Sequence, residues 1–250
     1  MNNHHKGVLL KAEIGSIDPN PWNLFVSTSV GIVTGTKYYK NDNSSSSFDV
    51  WHCSTHKEEF FLRNDRLRVW IEGTIFAALA IVLSLIPTNI GTGFTVSLGM
   101  IPLTLFAFRR GFVAASAAGF LWGILHFLIG NASILHPLQG FIEYFVAFAF
   151  VGFAGVVMKP LHLAFKEKIQ IKQYQFIIIG TVLGTIARFF WHFIAGYYFW
   201  GSYAPEGMNP IWYSFIANGG SALATGIVAG VILCIMAKTT PTLFLPKNKN

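Results

Sequence analysis

The pattern of hydrophobic and polar positions changes abruptly near residue 62. Before it, polar residues dominate, and no helical or strand period is sustained through the turn-rich stretch 18–21 or the Asn and Ser run 43–47. After it, six apolar blocks follow one another, covering 69–86, 94–108, 112–129, 138–158, 176–199 and 211–237. The pattern predicts an all-α membrane protein with six transmembrane helices, since a rise of about 1.5 Å per residue takes such blocks across about 30 Å of hydrocarbon. The second block is short for a full crossing.

Three regions follow from this pattern. A polar, poorly ordered extension is expected over 1–62, a six-helix domain over 63–240 and a polar tail over 241–250. The extension lacks the apolar core and small-residue cleavage site of a secretory signal. Its composition also fits an upstream region joined to the protein by a wrong start codon, with the true start near Leu62 to Arg66. The sequence leaves both interpretations open.

Composition agrees with a membrane environment. Of the 250 residues, 53% are hydrophobic and 12% are charged, whereas about 25% of the residues in a soluble domain are charged. The net charge of +7 would suit nucleic acid, but Lys and Arg form short clusters between apolar blocks instead of a basic helix face. We therefore expect a lipid bilayer and no nucleic acid as the partner of these charges.

The basic clusters occupy alternate gaps between the blocks. They are Arg63, Arg66 and Arg68 before the first block, Arg109 and Arg110 after the second, Lys159, Lys166, Lys168 and Lys172 around the fourth-to-fifth gap, and Lys238, Lys247 and Lys249 after the last. The other three gaps contain no Lys or Arg. Because basic residues of short loops stay on the cytoplasmic side, a multi-pass cell-membrane protein with both termini in the cytoplasm is predicted. The loops 88–93, 131–137 and 201–209 should then face outside.

A carboxylate inside the fourth block is the sharpest candidate for chemistry. Glu143 should cost about 2.5–3.5 kcal/mol to insert, so it is expected to face a partner or a cavity. Gln139 lies four residues earlier and shares its helix face. Protonation of Glu143, or its pairing with Arg188 or His192, is the structural alternative, although Arg188 lies about one turn deeper than His192.

Aromatic and polar residues collect at the same depth in the fifth and sixth blocks. His192, Tyr198 and Trp200 end the fifth, and Tyr213 and Asn218 begin the sixth. A lone histidine is more often a packing residue, and a belt of Trp and Tyr is expected at any membrane interface. One buried anion beside several aromatic faces, however, suits a small flat cation. His126 and Asn131 are further lining candidates, with packing as their alternative.

Catalysis has no visible basis in the sequence. No P-loop, HExxH or GxSxG motif is present, and Cys53 and Cys234 lack the spacing of a metal site or disulfide framework. We expect a protein that is not an enzyme and needs no cofactor or metal, so any ATP-driven work must come from another chain. On the first block, Thr74 and Ala78 are small residues four apart that permit close approach of another helix, either of a partner or of the same bundle.

Several ordered motifs carry a resemblance to a known family. They are 72–87, 101–111, 122–125, 139–144, 192–196 with 199–200, and 213–214 with 218–219. Over about residues 67–240 they resemble the thiamine-specific substrate-binding subunit, or S-component, of energy-coupling-factor (ECF) vitamin transporters. The resemblance implies a six-helix thiamine-binding domain near the outer surface. It also implies partnership with an ECF membrane scaffold subunit and two ATPase subunits.

The resemblance also implies binding residues. The family's thiamine-contacting residues match Glu143, Tyr144, His192, Trp200, Tyr213 and Asn218. A family tryptophan in the first outer loop is replaced by Gly93 and Phe94, and a tyrosine of the third-to-fourth loop by Ser133. The Ala-x-x-x-Ala motif that contacts the scaffold reads Thr74-x-x-x-Ala78 here.

The chemistry of thiamine agrees with these residue types. Its thiazolium cation and aminopyrimidine require an anion, stacking partners and hydrogen bonds; we expect Glu143 to balance charge or accept from the aminopyrimidine and Trp200 to stack. The others, Gln139 included, are expected to complete the binding site. The alternatives are an S-component for another flat vitamin (pyridoxine-like or niacin-like), a proton-coupled carrier with Glu143 as relay, and a purely structural subunit. Six spans without a clear inverted repeat argue against the carrier.

Overall fold

The computed structural model describes residues 47–90 and 93–246, and helices dominate this part of the chain. They are α1 (Ser47–Ser84), α2 (Met100–Arg110), α3 (Phe112–Leu128), α4 (Pro137–Lys166), α5 (Gln170–Phe199) and α6 (Pro210–Thr239). Strands β1 (Asn89–Ile90) and β2 (Phe94–Thr95) form a small antiparallel ladder in which Asn89 faces Thr95. Short 3₁₀ turns cover Gly201–Tyr203 and Pro241–Leu243. The predicted all-α fold class is confirmed.

Helix α1 begins well before the first predicted span. It starts at Ser47, so the boundary predicted at residue 62 falls inside a helix. Residues 1–46 of the predicted extension lie outside the described residues. His52–Asn250 forms one compact unit, and only the first turn of α1 is described from the unit Met1–Trp51.

Four helices of the described part are long and apolar enough to cross a membrane. They are Asp65–Ser84 within α1 and the whole of α4, α5 and α6. Helix α3 is apolar but has 17 residues, and α2 has 11. At about 1.5 Å per residue α2 reaches about 16 Å, roughly half of a hydrocarbon core. The prediction of six full crossings is therefore not confirmed for the second and third helices.

The first residues of the second predicted span are not helical, for a local reason. Its first residues form β2, because Gly93 adopts a positive φ of 97° and turns the chain back into the hairpin. Helix α2 starts only at Met100, and eight of its eleven residues are buried. The apolar block thus reflects burial within the bundle in addition to contact with lipid.

Local sequence explains where α4 and α6 start. Each has proline at its first position, where the missing N–H needs no partner. The side chain of His136 accepts from the Leu138 amide at 3.2 Å, and that of Asn209 accepts from the Ile211 amide at 2.8 Å. These caps satisfy backbone donors that the helix itself leaves free.

Two glycines bring α3 into backbone contact with α4. A Cβ at Gly119 would collide with the carbonyl oxygen of Phe148, and a Cβ at Gly123 with that of Tyr144. Small residues permit this approach in membrane bundles, where packing replaces the hydrophobic effect as the force that joins helices. This contact fixes the position of Tyr144 and Phe148 of α4 relative to α3 along the helix axis.

Ion pairs and hydrogen bonds of charged side chains stabilise the end of the bundle at which α2 ends. The Glu72 carboxylate accepts from Arg110 Nε at 2.6 Å and from Arg109 Nε at 3.2 Å. Arg109 also donates to the carbonyls of Thr242, Leu243 and Leu245. Phe244 is fully buried and lies 5.2 Å from the Phe165 ring, centroid to centroid. The segment after α6 is therefore packed against the bundle.

The α3–α4 contact yields a stability test. Replacing Gly123 with Ala should lower the free energy of unfolding by about 1–3 kcal/mol, because the new methyl group overpacks the backbone of Tyr144. Gly230→Ala is the matched control, since a Cβ there meets nothing within 4 Å. Thermal melting in detergent should show a lower Tm for the first variant only. Equal melting temperatures would contradict this account of the contact.

Candidate functional site

A wide turn in α4 carries the central polar residues. Phe141–Val146 is π-helical, and it holds Glu143 and Tyr144. Such turns are rare, cost some helix stability and occur frequently at functional sites. This π-helical turn directly follows the first turn of α4, which ends at Gly140. The polar residues therefore lie near the N-terminal end of α4.

Glu143 is held by neutral donors. Its Oε2 accepts from Gln139 Nε2 at 2.7 Å, and its Oε1 accepts from Trp200 Nε1 at 2.9 Å. Within the described part of the chain, no Lys, Arg or His nitrogen lies within 4.0 Å of this carboxylate. Glu143 is thus oriented without being neutralised by an ion pair, which leaves its charge available to a ligand.

Gln139 anchors this arrangement instead of lining the cavity. It is fully buried, its Oε1 accepts from the Leu135 amide at 2.9 Å, and its Nε2 also donates to the Ser133 carbonyl at 3.1 Å. Its amide is hydrogen-bonded to protein partners at both ends, and its binding role stays a prediction. Its bonds connect the α3–α4 loop to Glu143.

A cavity of about 470 Å³ opens beside Glu143. Four of the predicted site residues line it: Glu143, Tyr144, His192 and Asn218. The candidates His126 and Asn131 line it as well. Its size falls within the range of about 300–1,000 Å³ typical of small-molecule sites.

Besides Gln139, two predicted residues lie outside the lining. Trp200 reaches Glu143 through its indole N–H and lies 5.4 Å from the Tyr203 ring, centroid to centroid. The Tyr213 hydroxyl points to the hairpin, 3.4 Å from the place a Cβ on Gly93 would occupy. The stacking predicted for Trp200 stays a prediction, whereas the geometry gives it a hydrogen bond to the carboxylate.

Aromatic rings form one wall of the cavity. Phe148 is central to it, with its ring centroid 4.1 Å from that of Trp122, 5.4 Å from Tyr144 and 6.0 Å from His192. Trp122 and Phe148 lie nearly parallel, at 25°. Aromatic faces of this kind attract flat rings and cations.

Arg188 is a lining residue whose part in the site the sequence did not reveal. Its Nε donates to His192 Nε2 at 3.2 Å, and its guanidinium carbon lies 4.5 Å from the centre of the Phe148 ring and 5.1 Å from that of Trp122. Among the described residues, no carboxylate lies within 4.0 Å of it. An arginine in the middle of an apolar helix was the signal that could have identified it, because such residues normally serve a site.

Three further lining residues carry buried polar atoms that have no protein partner among the described residues. They are Trp122 Nε1, His126 Nε2 and Thr185 Oγ1, on side chains exposed by 1%, 6% and 9%. The Asn131 amide lies 3.4 Å from His126 Nδ1, and the donor and acceptor roles of the two imidazole nitrogens depend on the tautomer. Trp122 and Arg188 thus present donors, and burying donors without acceptors is costly. A ligand acceptor would relieve that cost.

The hairpin closes one side of the cavity through two hydroxyl groups of α6. The Thr95 amide donates to Ser221 Oγ and the Ser97 amide to Thr225 Oγ1, both at 3.0 Å. Residues two apart on a strand point the same way, and residues four apart on a helix stack one turn above another. The spacing of the amides therefore matches the spacing of the hydroxyls.

The fold and the cavity define a class: a helical membrane protein with an internal small-molecule site. Comparison with known proteins narrows this to a family. The family model described as thiamine transporter protein matches residues 70–245. The chain belongs to this family. The predicted resemblance is confirmed, as is the expectation of a transport protein in place of an enzyme.

Individual relatives are similar over most of their length. A thiamine transporter ThiT of Lacticaseibacillus paracasei is 40% identical over 74% of this chain and 94% of its own. That of Bacillus subtilis is 33% identical over 69% and 92%. A solved structure of ThiT from Listeria monocytogenes is 47% identical, with a TM-score of 0.72 over 73% of this chain and 100% of that one.

The hairpin contact predicts a change in amide exchange. Thr225→Val removes the acceptor of the Ser97 amide, and a neutral hydrogen bond of about 0.5–1.5 kcal/mol corresponds to an exchange rate about 2- to 10-fold faster. Hydrogen–deuterium exchange mass spectrometry of the segment 93–98 measures this. Thr239→Val is the control, because its hydroxyl donates to the Ile235 carbonyl at the other end of α6. Unchanged exchange in Thr225→Val would contradict the hydroxyl contact.

Proposed function

We propose that the chain is the thiamine-binding S-component of an ECF-type vitamin transporter. The observation that carries the proposal is the unpaired Glu143 carboxylate, held by two neutral donors at the edge of an aromatic-walled cavity. A permanent organic cation gains from such a carboxylate and from ring faces together. The relatives named as thiamine transporters support thiamine as that cation.

Arg188 is expected to determine the orientation of the ligand in the cavity. A cation is repelled by the Arg188 guanidinium and attracted to the Glu143 carboxylate, and the two groups lie more than 4.0 Å apart, so the thiazolium should lie nearer the carboxylate. The donors of Trp122 and Arg188 should then meet the oxygen or ring-nitrogen acceptors of the ligand. Thiamine has a cation and separate acceptor atoms, and it therefore complements both the carboxylate and the donors.

Orientation in the membrane follows from the basic clusters. Arg109 and Arg110 join α2 to α3, and Lys168 lies between α4 and α5, which assigns these connections to the cytoplasm. Both termini should then be cytoplasmic, and the hairpin 89–95 and the α5–α6 connection should face outside. In this orientation the cavity receives its ligand from the outer surface.

Energy coupling requires an ECF membrane scaffold subunit and two ATPase subunits. Support comes from the two faces of α1: Gly73 and Ala77 are buried in this chain's own bundle, whereas Thr74 and Ala78 are exposed. The Thr74 hydroxyl donates to the Trp70 carbonyl at 3.0 Å, so it is satisfied within its own helix. The exposed pair therefore offers a small, smooth surface to a partner helix.

Binding is tested by titrating purified protein with thiamine and following tryptophan fluorescence. Glu143→Gln should raise the Kd about 10- to 150-fold, because a hydrogen bond to a charged group is worth about 1.5–3 kcal/mol. Glu206→Gln, in the exposed α5–α6 connection, is the matched control and should bind normally. Tight binding of a different flat vitamin with no saturable response to thiamine would refute the proposal.

Coupling is tested by separating binding from uptake. Ala78→Trp should abolish thiamine uptake by cells while the purified variant keeps its affinity, because the bulky ring holds a partner helix away. Val231→Trp, at a 55% exposed position of α6, controls for bulk on a lipid-facing surface and should transport normally. Loss of binding together with uptake would assign Ala78 to internal packing, and unaffected uptake would remove it from the interface.

A further inference from the structure

A second concavity lies on the outside of the bundle, between α1 and α3. This groove has a volume of about 820 Å³. Its wall is apolar or small, with Val69, Gly73, Ala117, Phe120 and Ile124 among the lining residues. The substrate cavity shares none of its lining residues. The groove is therefore a separate feature that thiamine binding does not explain.

Charged and aromatic side chains mark one end of the groove. Arg66, Arg68 and Arg110 line it there, together with Asp65 and with Trp70, which is 61% exposed. Between positions 65 and 110 the chain has four arginines and two carboxylates, an excess of two positive charges. Glu72 is shared by Arg109 and Arg110, whereas Arg66 and Arg68 are exposed. This end of the groove favours an anion.

The length of the groove matches one leaflet of a bilayer. Along α3 its lining runs from Val113, next to the basic end, to Ile124. Eleven steps of about 1.5 Å give about 16 Å, which is half of a hydrocarbon core of about 30 Å. An exposed Trp beside arginines is typical of the level at which lipid headgroups meet the acyl chains.

We propose that the groove binds an anionic phospholipid of the inner leaflet, with its headgroup at Arg66 and Arg68 and its acyl chains along α3. The proposal rests on the cytoplasmic orientation given above, which puts the arginines at the inner surface. Basic pockets between transmembrane helices on that side suit acidic headgroups. The groove meets the proposed scaffold face at Thr74, which lines it, whereas Ala78 does not. The arginines at its basic end favour an acidic headgroup over an apolar partner helix as occupant.

The test is lipid retention by the full-length protein, purified with equal amounts of phosphatidylglycerol and phosphatidylcholine and examined by native mass spectrometry. Phosphatidylglycerol should be retained preferentially. The double variant Arg66→Gln, Arg68→Gln should hold it about 30-fold more weakly, as expected from removing two arginines near a membrane surface. Ala117→Leu, which fills the apolar part of the groove, should reduce retention as well.

The matched control removes two charges elsewhere on the same side. Lys168→Gln, Lys172→Gln changes exposed lysines near the start of α5 and should retain phosphatidylglycerol like the unaltered protein. Equal retention of both lipids, or equal losses in the two double variants, would overturn the proposal. So would undiminished retention in Ala117→Leu, because the acyl chains would then lie elsewhere. Thiamine affinity, measured on the same samples, should be unchanged in every variant, so failure of the lipid site is distinguishable from failure of the thiamine site.

Discussion

A carboxylate inside an apolar helix is the constraint on which this structure depends. A carboxylate within an apolar span is costly to insert, so the charge of Glu143 requires donors from the protein or a ligand. Gln139 and Trp200 supply one hydrogen bond to each oxygen. Because Gln139 also holds the backbone of Ser133 and Leu135, this single group ties together the α3–α4 loop, the π-helical turn and the end of α5.

The cavity contains charges of both signs that do not neutralise each other. Arg188 lies over the rings of Phe148 and Trp122, and it is bonded to His192 in place of Glu143. A direct buried ion pair would satisfy both groups and leave little for a ligand to recognise. Keeping them apart makes the cavity complementary to a molecule that carries a cation at one end and acceptors at the other.

Close backbone approach allows a polar site in so small a bundle. Gly119 and Gly123 let α3 touch α4 directly beneath Phe148 and Tyr144, so the aromatic wall is built on rigid helices. Helix α1 also carries small residues on two faces, since its buried Gly73 lies against Phe106 of α2 while Thr74 and Ala78 are exposed. Membrane helices gain association energy from such packing because lipid offers no hydrophobic drive.

The sequence by itself determined the class of protein, the approximate helices after the first hairpin, and four residues that line the cavity: Glu143, Tyr144, His192 and Asn218. Each interrupts an apolar block, and the cost of polar groups in hydrocarbon makes such interruptions meaningful without any structure. Recognition of the family's motifs added thiamine to this. These conclusions depend on local pattern, which the chain displays directly.

Only the tertiary structure decided which groups meet. Trp200 bonds to Glu143 across 57 positions, and Thr225 receives the amide of Ser97 across 128. Periodicity reports the face of a helix on which a residue lies, but it carries no information about the helix opposite. For that reason the sequence did not reveal that Gln139 and Tyr213 lie outside the cavity lining or that Trp122 and Thr185 belong to it. It named Arg188 only as a possible partner of Glu143, and it extended a helix through the hairpin at Phe94. Burial by neighbouring helices produces the same apolar pattern as burial by lipid, and only packing separates the two.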